Sequence, residues 1–247
     1  MGIGKVLNLL GSNNRVGNIE EIICPFDDKD IVLDAGTGSG HILRELSAHR
    51  SYIYAVDINA DFLKKASSAI REPNIVLIQA DVRKLPFKNL QFTKVICTEV
   101  LEHLPEPLPA IEEFHRLLKP GGICVIAVPT RLSERLYALL NPKYSQNEQQ
   151  HISILKREQW LSLFRKSGFE TVAARNENFQ PALYWLFRNV FPIRYDPSSG
   201  LTLENKFTDR VFWHMTAFIN KATFGLFDRV GAGLFPKSWY FYLRKVK

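Results

Sequence analysis

The stretch Val32-Leu33-Asp34-Ala35-Gly36-Thr37-Gly38-Ser39-Gly40 does most to limit what this chain can fold into. It closes the apolar run Ile31–Ala35, a short strand interrupted only by Asp34. It opens onto His41–His49, where Ile42, Leu43 and Leu46 stand at helical spacing. Three glycines at alternate positions let the backbone turn sharply and pass close to a ligand. The following helix start offers N–H groups with no partner inside the helix. A strand passing through such a turn into a helix is the first step of a strand–helix–strand unit.

The same alternation continues down the chain. Tyr52–Val56, Ile75–Ile78, Thr93–Cys97, Ile123–Val128 and Phe169–Ala173 read as strands. Asp61–Ile70, Leu108–Leu118 and Lys156–Ser167 read as helices, and Lys119-Pro120-Gly121-Gly122 reads as the turn closing the second of them. Short helices are also expected at Ile3–Leu10 and Asn18–Ile23. Buried strands separated by helices imply an α/β fold: a Rossmann-like, seven-stranded, mostly parallel sheet with helices on both faces. The last strand is expected at Trp239–Arg244. About 65 residues separate it from the strand at Phe169, too many for a plain loop. A helical insert should fill that gap, with helices near Pro181–Val190 and Glu204–Phe227. The expected layout is one domain over 1–247, with a binding core at 28–176, an aromatic insert at 177–236 and the last strand at 237–247.

Asp57 ends the second strand, 21 positions after Gly36. An acid there can bind ribose hydroxyls in the crevice of the sheet. A dinucleotide fingerprint would need glycine at position 41, where His41 stands. The spacing Asp34-x-Gly36-x-Gly38-x-Gly40 instead resembles the first motif of class I S-adenosylmethionine (SAM) methyltransferases. Asp81-Val82 after the third strand, Leu85-Pro86-Phe87, and Leu118-Lys119-Pro120-Gly121-Gly122 before the fifth strand extend the resemblance in order. It covers roughly residues 30–130, and more loosely runs to about 175. The resemblance implies that Gly36 and Gly38 pass the methionine part of SAM, that Gly40 belongs to the same cofactor-binding turn and that Asp34 orients the amino group. It further implies that Asp57 takes both ribose hydroxyls, Ile58 packs on the adenine, and Asp81 with Val82 reads the adenine edge.

After the fourth strand stands Cys97-Thr98-Glu99-Val100-Leu101-Glu102-His103-Leu104-Pro105. In a helical turn Glu99, Glu102 and His103, at i, i+3 and i+4, would share one face. Oxygen and imidazole donors in that array suit a divalent cation such as Mg or Zn. The segment resembles the Glu-x-x-Glu-His of ubiquinone-pathway O-methyltransferases and of small-RNA 2′-O-methyltransferases. That resemblance implies a metal near the acceptor oxygen, with His151 as a further ligand. Without a metal, His103 and Glu99 are the catalytic candidates, His103 as general base. A purely structural turn is the third alternative, and all three stay open here.

The net charge of +7 is unevenly placed. Residues 181–247 hold 10 basic and 4 acidic side chains and 16 of the chain's 29 aromatics. Basic residues interleaved with aromatics disfavour nucleic acid, which calls for a basic stripe. They favour a lipid-like or other small-molecule acceptor, with the insert as a cover over the acceptor site, as a contact to an anionic membrane surface through Lys206, Arg210, Lys221 and Arg229, or as a dimer surface. No stretch reaches the length of a membrane span. The opening Met1–Val6 fits neither a myristoylation pattern nor a signal peptide. Cys24, Cys97 and Cys124, an odd number in apolar surroundings, read as buried thiols. The expectation is a cytoplasmic chain, peripheral at the membrane, that transfers a methyl group from SAM to a small or lipid-like acceptor, at oxygen. An RNA 2′-O-methyltransferase and a non-catalytic SAM-binding domain are the alternatives. The residues leave the oligomeric state open.

Overall fold

The computed structural model describes residues 26–70, 72–140, 151–177, 179, 182–183, 186, 215–216, 218–219, 222–223 and 226–247. Seven strands form one sheet: β1 Ile31–Ala35, β2 Tyr52–Asp57, β3 Ile75–Gln79, β4 Phe92–Thr98, β5 Leu118–Pro129, β6 Phe169–Glu177 and β7 Ser238–Lys245. Their order is β3-β2-β1-β4-β5-β7-β6. The first five pair in parallel, with Ala35 opposite Val56, Val56 opposite Ile78, Asp34 opposite Ile96, and Cys97 opposite Ile126. The chain runs outward from β1 to β3 and then returns to place β4 on the other side of β1. That reversal opens a crevice at the carboxyl ends of β1 and β4, where ligands of such sheets bind.

Alternation along the strands sends neighbouring residues to opposite faces. Leu33, Ala35, Val95, Cys97, Cys124 and Ile126 belong to one core cluster, joined by Phe114 of α3 (Leu108–Leu117) and by Trp160 and Phe164 of α5 (Arg157–Lys166). Val32, Ile53, Ala55, Ile96, Val125 and Ala127 belong to the other, joined by Ile42, Leu43 and Leu46 of α1 (His41–Leu46). Helix α2 (Ala60–Ala69) starts at Asn59, whose side chain accepts from Asp61 and Phe62 N–H. Helices thus cover both faces, as the sequence pattern implied. Cys97 and Cys124 are buried thiols, and Cys24 lies outside the described residues.

Three local features differ from expectation. Lys119–Gly122 is not a turn ahead of the fifth strand but a bulge inside it. Phe92 pairs with Leu118 and Lys94 with Ile123, so Thr93 alone faces four residues of β5. Gly121 takes φ 77°, and a Cβ on Gly122 would lie 2.8 Å from the Lys119 carbonyl, so the loop tucks under the strand only with glycines. An unexpected helix, α4, spans Arg131–Leu140. Helix α6 spans Leu226–Leu234, starting where the second insert helix was expected to stop. The helices expected at 3–10 and 18–23 lie outside the described residues, as does most of 181–225.

The chain divides into two compact units. The described parts of 15–129, 151–175 and 239–247 form the sheet unit, and those of 130–150 and 176–238 form the second. Within the second, Thr130 caps α4: its Oγ1 accepts from Ser133 N–H at 3.1 Å and donates to the Pro236 carbonyl at 2.9 Å. Tyr137 on α4 donates its hydroxyl to the Ala182 carbonyl. No helix among the described residues is long and apolar enough to cross a membrane.

Candidate active site

The glycine turn is shaped by its own N–H groups. Those of Gly36 and Thr37 both donate to the Val56 carbonyl, at 2.7 and 2.9 Å. Gly38 N–H donates to Asp57 Oδ2 at 2.8 Å, and Asn59 N–H donates to Oδ1 at 2.8 Å. Asp57 therefore ties the end of β2 to the turn after β1 before any ligand arrives. Gly36 and Gly38 take φ of 81° and 56°, left-handed angles that disfavour side chains. A Cβ on Gly36 would stand 2.2 Å from Val100 Cγ2, whereas one on Gly38 would meet nothing within 4 Å. Gly38 is thus the point of the turn that faces open space. Gly40, at φ 87°, caps α1 against Ala66 and Ile70.

Asp34 is 2% exposed, and its Oδ2 has no hydrogen-bond partner among the described residues. Burial pushes its carboxyl up to about 6; the Thr37 hydroxyl opposes the shift, and the nearby Asp57 charge adds to it. A buried carboxylate in that position gains strongly from any cation brought beside it. Ile58 is an apolar side chain 65% exposed at the mouth of the turn, and Val82 is buried. Asp81 is gripped by Arg83 through Nε at 3.0 Å and through the Arg83 N–H at 2.9 Å, which holds it below the usual carboxylate range. Arg83, Asn59 and Val100 had not been singled out. Asn59 had a visible signal as a helix cap, and Arg83 stands two residues from Asp81. Val100 had none, because its role comes from contact with a residue 64 positions away.

The segment after β4 does not form the helical turn that would have aligned Glu99. Glu99 donates its N–H to the Ala127 carbonyl at 2.9 Å and adopts φ 57°, so the chain kinks before any helix begins. The 3-10 turn covers only Leu101–His103. Leu101 and Glu102 are fully buried and His103 is half-buried. The Glu102 carbonyl accepts from both Ile152 N–H at 2.7 Å and Ser153 N–H at 2.9 Å. Ser153 Oγ also donates to the Leu104 carbonyl. These bonds bring His151 to His103, with ring centroids 4.9 Å apart. Donor atoms of Glu102, His103 and His151 all lie within 4.8 Å of one another. Glu99 is not in that group.

The family model described as "Methyltransferase domain" matches residues 10–174. The chain is 30% identical over 122 residues to a ubiquinone biosynthesis O-methyltransferase of Psychrobacter cryohalolentis, which covers 46% of each chain. It is 32% identical over 102 residues to a ubiquinone/menaquinone biosynthesis C-methyltransferase of Coxiella burnetii, covering 38% of this chain and 41% of that one. The chain thus spans about half the length of these curated relatives. A Haemonchus contortus phosphoethanolamine N-methyltransferase solved with S-adenosyl-L-methionine shares the fold at TM-score 0.64 and 18% identity, over 96% of this chain and 53% of that one. The curated relatives are an O-methyltransferase and a C-methyltransferase, so the likeness supports the cofactor class and not the acceptor atom. With its glycine turn, switch-point crevice and matched family model in agreement, the chain belongs to the class I SAM-dependent methyltransferases.

Proposed function

We propose that this protein transfers the methyl group of SAM to a small, lipid-like acceptor, at an oxygen atom. The observation that carries the reading is the convergence of Glu102, His103 and His151 on the loop whose Val100 packs against Gly36 of the cofactor turn. Titratable groups and cofactor turn therefore share the crevice at the ends of β1 and β4. Two relatives named for quinone biosynthesis support a lipid-like acceptor.

The reaction asks for alignment first. The acceptor oxygen attacks the methyl carbon as the carbon–sulfur bond breaks, leaving S-adenosylhomocysteine. Orientation alone supplies several kcal/mol, roughly 7–11 in well-aligned cases. Gly38 would let the methionine part lie against the backbone, Asp34 would hold its ammonium group, and Asp57 would take the ribose. Asp81 and Val82 flank the adenine, and Ile58 covers its face. His103 takes the hydroxyl proton as the new bond forms. Glu99 is not among the three donors that lie together, so the proton transfer is assigned to His103.

Two imidazoles and one carboxylate also fit a divalent cation. Their 4.8 Å span is close to the roughly 4.2 Å that two ligands can reach across one ion at about 2.1 Å each. This donor set favours Zn over Mg, which prefers oxygen ligands and retains its waters. A metal held there supplies Lewis-acid activation of the acceptor hydroxyl. A basic, aromatic C-terminal region would let the protein collect a lipid-like acceptor at an anionic membrane surface. The test is transfer from methyl-labelled SAM to lipid extract, to RNA and to buffer alone. Label in the lipid fraction is expected. Label in RNA would replace this reading with RNA methylation, and binding of SAM with no transfer to any fraction would leave a non-catalytic domain.

A further inference from the structure

Helix α6 is amphipathic, and its apolar outer face has no cover among the described residues. One side packs inward within its own unit. Phe227 meets the Phe179 ring edge-on at 5.3 Å, and Gly231 lies so close to that ring that an added Cβ would stand 2.0 Å from Phe179 Cδ1. Phe235, just beyond the helix, contacts Tyr137 of α4 at 6.3 Å. The strip beside it carries Leu226, Val230 and Leu234, which are 60%, 55% and 76% exposed. They repeat every four residues and form a single row. Ahead of this helix Ala222, Phe218 and Met215 are exposed as well, Phe218 to 72%. Six apolar side chains spaced three or four residues apart therefore share exposure along residues 215–234. Scattered exposed apolar residues are ordinary, but an aligned row marks an interaction surface.

We propose that this ridge is the surface by which the protein docks on an anionic lipid bilayer. Charge complementarity selects the occupant. Residues 206–237 carry Lys206, Arg210, Lys221, Arg229 and Lys237 against Asp209 and Asp228, five basic side chains to two acidic. An apolar ridge within a positively charged segment has the composition of an interfacial helix, whose apolar face enters the acyl boundary while cations meet the headgroups. A second copy of the chain would bring like charge against like charge. Lys206, Asp209, Arg210 and Lys221 lie outside the described residues and enter only through their charge. The proposal rests on the membrane-surface reading given above and assigns it to particular side chains.

The experiment is flotation of the full chain with phosphatidylcholine vesicles, with and without phosphatidylglycerol, at low and high salt. The wild-type protein should float with the anionic vesicles and be released by salt. Leu226→Ser, Val230→Ser and Leu234→Ser together should weaken that binding at least tenfold, with thermal midpoint and SAM affinity unchanged. Because the ridge side chains are already exposed, folding should tolerate these changes. Leu234→Ser alone, at the most exposed position, should give a partial loss and guards against a misfolded triple variant. Undiminished flotation of the folded triple variant overturns the ridge assignment and leaves the membrane reading standing. Absence of wild-type flotation on every vesicle overturns both. Self-association abolished by the same substitutions, without vesicle binding, makes the ridge a contact between copies and also overturns the proposal.

Discussion

Gly36 and Val100 are in contact: a Cβ added to Gly36 would come within 2.2 Å of Val100 Cγ2. The turn after β1 and the loop after β4 are thereby seated on one another, so the cofactor turn cannot shift without disturbing the Glu102–His103 loop. Gly36 has a positive φ as well. Gly36→Ala should therefore lower stability by about 1–3 kcal/mol through backbone strain and overpacking, and should weaken SAM binding. Val100→Ala in the same protein should restore part of the loss by removing the clash but not the strain. Denaturation and calorimetry on the single and double variants measure both effects. An equal loss with and without Val100 would show that the contact carries none of it.

Asp57 accepts from Gly38 and Asn59 N–H groups, so it orders the turn even without ligand. Asp57→Ala should weaken SAM binding more than tenfold, the loss of charge-assisted bonds worth roughly 1.5–3 kcal/mol. Asp57→Asn keeps one acceptor oxygen and should lose less. Unchanged affinity in a folded Asp57→Ala protein would remove Asp57 from the site.

Asp34 gives a pH dependence with a definite sign. Its ordinary value of 3.8 is raised to about 6 by burial. Between those values the folded protein binds more protons than the unfolded one, so ligand-free stability should fall as pH rises from about 4 to about 6. Above that the cost remains, on the order of 3 kcal/mol at most. Asp34→Asn should flatten this fall and raise the thermal midpoint of the ligand-free protein at neutral pH. It should also weaken SAM binding, because the ammonium group loses its buried counter-charge. A stability profile across this range that is identical in the two proteins would count against a raised Asp34.

His103 and His151 carry the metal question. If the cluster holds a cation, exhaustive chelation should abolish transfer and zinc should restore it. His151→Ala should lower metal content and activity while SAM affinity stays unchanged. Glu99→Gln should do neither, since Glu99 stands outside the cluster. Full activity after chelation, with no metal found by elemental analysis, leaves His103 as a metal-free base. Activity should then follow the titration of an imidazole.

The sequence by itself determined the sheet, the turn and the cofactor class. These follow from local rules: apolar alternation selects strand or helix, and glycine takes the left-handed angles at 36, 38 and 40 at the least cost. Asp57 was legible because strand length and turn spacing set where the second strand ends. Tertiary structure alone decided that Glu99 is not grouped with Glu102, His103 and His151. Spacing suggested that Glu99 and Glu102 act together, but a hydrogen bond from Glu99 to Ala127 on the neighbouring strand kinks the chain at Glu99 and removes it from the turn. His151 reaches His103 through two N–H groups bonded to the Glu102 carbonyl, a pairing across nearly fifty residues. The bulge at Lys119–Gly122 likewise depends on the register between β4 and β5. Local propensity is written residue by residue, whereas a backbone bond between distant segments depends on where the whole fold places their donors and acceptors.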